Sequence, residues 1–313
     1  FGDEEALPRQ YESMKLFVEA EIRKMGKKNL WIGPSLGDWL AMGKGIAWQA
    51  MHNNPVSNAF IVHDLKVISE TAERLGKKAD ADRYRRQLEA TTKAYIEKFV
   101  SKKGIVAKDY QSAYIMALKF VLPEGELREL VKKNFAASIR KNGLQTGFFA
   151  TEHLLPLLVE AGETELAYDI LLQEGCPGWM YQIKCGATTT WERWDALKPD
   201  GTVNEEKMAG SGDNMVSFNH YAFGSVGEFY YQYILGIKPQ KPGFAELHFE
   251  PYPDRRLGGV SGSYLSRAGK IESSWKYEED GCHISLNTPV KSEVVLPNGQ
   301  RETVEEGTYQ WLC

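Results

Sequence analysis

Cysteine is scarce in this chain, with four in 313 residues. Cys176, Cys185, Cys282 and Cys313 show neither a CxxC spacing nor a disulfide framework. The six histidines form no HxxxH or comparable ligand spacing, so no metal site and no cofactor are expected. No apolar run is long enough to cross a bilayer. No block of basic residues accompanies the net charge of −4, which argues against nucleic acid and anionic membranes as partners. The opening Phe1-Gly2-Asp3-Glu4-Glu5 resembles neither a signal peptide nor a cleaved junction; it reads as a loop entered in mid-course, and the compartment stays open.

What the chain does have is aromatic rings, 8 Trp, 15 Tyr and 13 Phe, more than a minimal core needs. Some of them are expected to line a cleft. Apolar residues first recur at helical steps. Tyr11, Met14, Val18, Ile22 and Met25 mark one amphipathic helix, which Gly26 ends. A loop with Trp31, Pro34 and Gly43 follows. Further helices are expected over 57–75, from Asp80 to about Phe99, and over 111–120, 124–141, 151–160 and 163–173. Pro156 should kink its helix or mark its first turn. After a glycine-rich stretch at 210–213, a last helix carries Tyr221, Val226, Phe229, Tyr230 and Ile234. Lys238-Pro239-Gln240-Lys241-Pro242-Gly243 then breaks the pattern. Alternation takes over in Leu247/Phe249, Ile271/Ser273/Trp275, His283 to Leu286 and Glu293 to Leu296, with turns at 279–281 and 297–299. Mainly α with a small antiparallel β-sandwich after it is the fold class, and 1–237 and 238–313 are the expected domains.

The segment Cys185-Gly186-Ala187-Thr188-Thr189-Thr190-Trp191-Glu192-Arg193-Trp194-Asp195 concentrates the chemistry. Flat apolar rings cover the C–H faces of a pyranose while charged and hydroxyl groups bond its rim. A carboxylate set among indoles gives up hydration, which fits it for proton transfer. A surface helix start, capped by Thr190 with Glu192 in the first turn, would use the same residues.

Three stretches, Leu36-Gly37-Asp38-Trp39-Leu40-Ala41, the 186–195 segment and Ser217-Phe218-Asn219-His220-Tyr221-Ala222, together resemble glycoside hydrolase family 78, the bacterial α-L-rhamnosidases. Gln10-Tyr11-Glu12-Ser13-Met14, Thr146-Gly147-Phe148 and Pro242-Gly243-Phe244 support the likeness, which runs in family order over the whole chain. The resemblance implies a ring of paired helices, an (α/α)6 barrel, then a β-sandwich, and hydrolysis with inversion at the anomeric carbon. The family's acidic segment, which supplies the general acid, has no counterpart here, and about eight legible helices fall short of a barrel's twelve. The expectation is the later part of a longer enzyme, nearly inactive by itself, that acts on a rhamnose-containing glycoside or polysaccharide. An uncovered barrel face would then favour a homodimer.

Inverting glycosidases place two carboxyls roughly 6.5–9.5 Å apart on opposite sides of the sugar, so neighbours in sequence such as Glu192 and Asp195 do not form the pair. By the resemblance Glu192 is the general base and His220 bonds sugar hydroxyls; Asp195 is the fallback base, or else caps or pairs with Arg193. Trp39 and Trp194 are stacking walls or barrel core. Asp38 and Asn219 bind substrate or only shape their loops, and Arg193 positions Glu192. His52, His63, His153, His248 and His283 belong to no constellation. Two other readings stay open: another inverting toroid glycosidase, trehalase-like or glucoamylase-like, and a non-catalytic carbohydrate-binding module.

Overall fold

A computed structural model describes residues 3–43, 45–52, 54–205 and 216–313. The glycine-rich stretch at 210–213 lies outside the described residues. The chain divides into two compact units, one of Glu4–Gly224 and a second that contains Ser225–Cys313.

In the first unit α1 (Ala6–Met25), α2 (Ile46–His52), α3 (Asn54–Arg74), α4 (Lys78–Phe99), α5 (Gln111–Met116), α6 (Glu126–Asn142), α7 (Phe148–Glu160), α8 (Thr164–Leu172) and α9 (Trp179–Lys184) follow one another. Three of these, α3, α5 and α7, form an inner row in which α5 touches both of the others. Each inner helix packs on its successor in the chain, α3 on α4, α5 on α6 and α7 on α8. Composition explains which helix goes where. The α7 helix buries Ala150, Leu154, Leu155, Pro156, Leu157, Leu158 and Val159, and the unbroken buried run 154–159, apolar on every side, belongs inside. The α4 helix buries only Ala81, Tyr84, Thr91 and Tyr95 and turns its arginines and lysines outward. Pro156 sits in the interior of α7, not in its first turn. The two helices that periodicity does not show, α2 and α9, have 7 and 6 residues, too short for a repeat to declare itself.

One carboxylate ties this unit together across the chain. Asp38 is fully buried. Its Oδ2 accepts from Gly147 N at 2.7 Å and from Ser112 Oγ at 2.5 Å. Its Oδ1 accepts from Phe149 N at 2.8 Å and Ala150 N at 3.0 Å. These backbone groups open α7, whose first N–H groups have no partner within the helix, so Asp38 caps α7 from another part of the chain. Burial pushes its carboxyl above the ordinary value, and the four donors pull it back. The loop is pinned further by Phe148 N–H to the Trp39 carbonyl at 3.1 Å and by Leu40 N–H to Gln49 Oε1 at 2.9 Å. A Cβ at Gly147 would lie 2.2 Å from the Trp39 carbonyl, so only glycine fits there.

The second unit begins with the single turn α10 (Val226–Phe229), which runs into a wider turn over Tyr230–Ile234. Eight strands follow: β1 (Ile237–Pro239), β2 (Leu247–Phe249), β3 (Gly259–Ser266), β4 (Gly269–Glu278), β5 (Gly281–Thr288), β6 (Ser292–Val295), β7 (Arg301–Val304) and β8 (Gly307–Leu312). They form two four-stranded sheets, β1-β2-β6-β7 and β3-β4-β5-β8. Between the sheets Phe249 stacks on Trp311 with centroids 6.1 Å apart. Trp275 Nε1 reaches the Ile234 carbonyl at 2.7 Å and Ser273 Oγ the Leu235 carbonyl at 2.6 Å, which fastens the helical turn to β4. One pairing corrects the antiparallel expectation. Strands β2 and β6 run parallel, Leu247 opposite Ser292, because the chain builds most of the other sheet between them.

His248, with no partner legible in sequence, lies 3.2 Å from Glu250 and 3.4 Å from Glu293. Its bond to Glu250 raises the imidazole, and the same bond holds Glu250 down at about 2. A raised histidine stabilises the fold fully below its ordinary value and stops doing so as pH rises through the folded value; a lowered carboxylate stabilises above its ordinary value and stops as pH falls toward the folded one. The pair therefore contributes most between about pH 4.5 and 6.5. Replacing Glu250 with Gln should cost about 1 kcal/mol at pH 5.5 and less at pH 8, read from urea melts at both pH values. An equal loss at the two pH values would discard the coupling. Asp38→Asn turns an amide N–H toward backbone donors and should cost about 2–5 kcal/mol by the same measurement, against less than about 0.5 kcal/mol for an exposed control such as Asp82→Asn.

Candidate active site

The 185–195 segment is a loop, so the helix start considered for Thr190 and Glu192 does not form. It leaves the end of α9 and runs alongside the 217–220 segment. Glu192 N–H bonds the Ser217 carbonyl at 2.9 Å, and His220 N–H bonds the Thr190 carbonyl at 2.9 Å. Two threonine hydroxyls complete the seam. Thr190 Oγ1 donates to the His220 carbonyl at 2.6 Å, and Thr189 Oγ1 donates to that of Phe218 at 2.5 Å. Behind the loop, the Trp191 N–H is held by Oε1 of buried Gln182 at 3.1 Å. Glu192 is thus half-buried on a loop fixed by its neighbours on both sides.

His220 stands between rings, with Phe148 at 4.7 Å and Tyr221 at 4.9 Å, both stacked. Ala222 N–H donates to its Nδ1 at 3.3 Å, so Nδ1 is the ring's accepting nitrogen. Phe148 is the residue whose N–H meets the Trp39 carbonyl, so positions 39, 148, 220 and 190 form one run of contacts, and Glu192 follows two residues after the last of them. Asn219 is exposed, and its backbone is closed into a turn by Ser217 Oγ at 3.2 Å.

Several expected members take other places. Asp38 is fully buried with both of its oxygens engaged at the start of α7, a position that suits the loop-shaping alternative. Trp194 is no stacking wall. It is fully buried, lies flat on Phe223 at 3.8 Å, meets Trp179 edge-on at 4.9 Å and donates Nε1 to the Thr146 carbonyl at 2.9 Å. Core is the alternative that holds for it, since an indole closed over by two further rings has no face left. Trp39 is half-buried. Arg193 Nε pairs with Asp195 at 3.0 Å, and the other oxygen of Asp195 accepts from Asn204 at 2.9 Å, so Asp195 is committed to shaping the loop. Tyr221, expected within the last helix, precedes it and is 86% exposed, stacked on His220.

Sequence reasoning overlooked Thr190 as a clasp, Gln182 as a loop support and Tyr221 as an open ring. Only the run of three threonines carried a visible signal. Among the described residues, one group combines metal-ligand types: Glu278, Asp280 and His283, with ligand atoms within 4.8 Å of one another on the β4–β5 hairpin. The His283–Asp280 bond of 2.8 Å and the Lys276–Glu278 pair of 2.9 Å account for it as hairpin charge pairing.

Residues 1–234 match the family model of the bacterial alpha-L-rhamnosidase 6 hairpin glycosidase domain, and residues 236–310 match that of the bacterial alpha-L-rhamnosidase C-terminal domain. An alpha-L-rhamnosidase of Alteromonas sp. (strain LOR) is 34% identical over 309 residues, 95% of this chain and 32% of its own length. One of Streptomyces avermitilis is 31% identical over 318 residues, 99% of this chain and 29% of its own. This chain therefore spans about a third of the length of the curated relatives it matches. Among solved structures, a Streptomyces avermitilis alpha-L-rhamnosidase complexed with L-rhamnose superposes with a TM-score of 0.88 at 28% identity, covering 99% of this chain and 31% of that one. Native Aspergillus terreus alpha-L-rhamnosidase gives 0.89 at 29%, covering 99% and 37%. With both family models matched in chain order over nearly its whole length, the chain belongs to the bacterial alpha-L-rhamnosidases.

Proposed function

We propose that this chain supplies the general base and part of the sugar pocket of an enzyme that releases terminal α-L-rhamnose with inversion. The observation that carries the reading is the Glu192 loop, stitched to the His220 loop by Thr190. That seam joins the loop of half-buried Glu192 to the loop that carries the His220 imidazole and the open ring of Tyr221. In the proposed reaction Glu192 accepts a proton from a water below the sugar ring. The oxygen of that water attacks the anomeric carbon as the glycosidic bond breaks on the other face. His220 Nε2 donates to a sugar hydroxyl, while Trp39 and Tyr221 offer rings to the C–H face and the methyl of rhamnose. Asp195 serves poorly as the base because Arg193 and Asn204 already hold both of its oxygens. The general acid, on this proposal, belongs to a part of the enzyme outside this stretch, in keeping with relatives of about three times its length.

In a protein carrying this chain, Glu192→Gln should lower kcat on an aryl α-L-rhamnoside by about 10³-fold or more while the thermal melt stays put. Full activity in that variant would remove Glu192 from the role. The anomer released first, followed by proton NMR, should be the β form; initial α-rhamnose would reject inversion. Thr190→Val loses the hydroxyl that fastens His220 but keeps the shape, and should cut kcat/KM by about 10-fold at unchanged stability, with Thr190→Ser restoring it. Equal activity in Val and Ser variants would show the clasp to be idle.

A further inference from the structure

The β5–β8 ladder continues past the strands by one pair. His283 faces Leu312, and beyond them Cys282 and Cys313 exchange both backbone bonds. Cys282 N–H reaches the Cys313 carbonyl at 2.8 Å, and Cys313 N–H reaches the Cys282 carbonyl at 3.0 Å. That makes them a hydrogen-bonded antiparallel pair, whose Cα atoms stand about 5.5 Å apart. Directly opposed side chains leave a sheet on the same face. A disulfide joins Cα atoms roughly 4.4–6.8 Å apart, so the backbone already holds these two cysteines at bridging distance.

Their shared face is the inner one. Cys282 alternates with buried Ile284 and Leu286 along β5, and Cys313 follows Tyr309 and Trp311, stacked 6.0 Å apart, along β8. Tyr277 flanks Cys282 on its other side, across the β4–β5 ladder. Both thiols are free; Cys282 is buried and Cys313 is partly open to solvent.

We propose that Cys282 and Cys313 are a redox-responsive thiol pair that closes a cross-strand disulfide by exchange with a small-molecule disulfide, fastening the end of β8 to the start of β5. The more open Cys313 loses its proton to solvent, and its thiolate attacks one sulfur of the small disulfide and expels the other as a thiolate. Cys282, likewise deprotonated, attacks the Cys313 sulfur of the mixed disulfide, forms the protein S–S bond and expels the second small thiolate. The two released thiolates take up the two protons. The cysteine pair is oxidised by two electrons, and the small disulfide is reduced by the same two. Burial raises both thiols, so little thiolate is present at neutral pH and exchange is slow.

The test equilibrates the full chain with oxidised glutathione, alkylates the remaining thiols and maps peptides without reduction. The expected result is a linked Cys282–Cys313 peptide pair, lighter by two hydrogens than its reduced parts. It should come with a rise of about 5 °C or more in the unfolding midpoint of the wild type, reversed by dithiothreitol. Cys313→Ser alters only the more open partner, keeps Cys282 in the core, and should show neither the link nor the shift. Cys282 and Cys313 both fully alkylated after equilibration, or found only as glutathione adducts or in links between chains, would overturn the proposal.

Discussion

The helical unit depends on a carboxylate that never meets solvent. Four donors converge on Asp38, three of them the backbone N–H groups that begin α7. A helix start inside a protein must find acceptors somewhere, and a buried anion must find donors; here each meets the need of the other. The geometry leaves little freedom. Gly147 is drawn against the Trp39 carbonyl, and the next residue, Phe148, presents its ring to His220.

The site is built outward from that contact. His220 is fixed on one side by Phe148 and on the other by Thr190, and Thr190 is two residues from Glu192. Trp194, which looked like a surface for sugar, serves as packing beneath the loop, sandwiched with Phe223 and tied to Thr146 just before α7. The largest rings of the motif thus hold the loop in place, and the groups left open are smaller or more polar: Glu192, His220, Asn219, part of Trp39 and the ring of Tyr221. Rigid support with a few exposed polar groups is the arrangement that a positioned water and a positioned sugar require.

The sandwich follows the same economy with different means. Its two sheets share aromatic packing between Phe249 and Trp311, and the preceding turn is hung from β4 through Trp275 and Ser273. Strand β1 shows why a short strand hides in sequence. With three residues it carries almost no alternation of its own and is a strand only because β2 completes its ladder. Strand β3 hides for another reason, since Gly259, Ser261, Gly262 and Ser263 give no apolar rhythm at all.

The sequence by itself determined the long helices, because apolar residues at steps of three and four define a face wherever the chain is long enough to repeat them, as from Tyr11 to Met25. It also determined the later hairpins, and it singled out the Trp-Glu-Arg-Trp segment and the residues around His220, which the structure brings side by side. Only the tertiary structure decided where each of those side chains stands and what it touches. Asp38 and Trp194 read in sequence as ligand contacts because a carboxylate and an indole suit a sugar, yet burial and hydrogen bonding are properties of the three-dimensional neighbourhood. Whether a ring faces solvent or another ring depends on residues far away in the chain, such as Phe223 for Trp194 and Gly147 for Asp38. Local pattern specifies elements; contacts between distant elements specify roles.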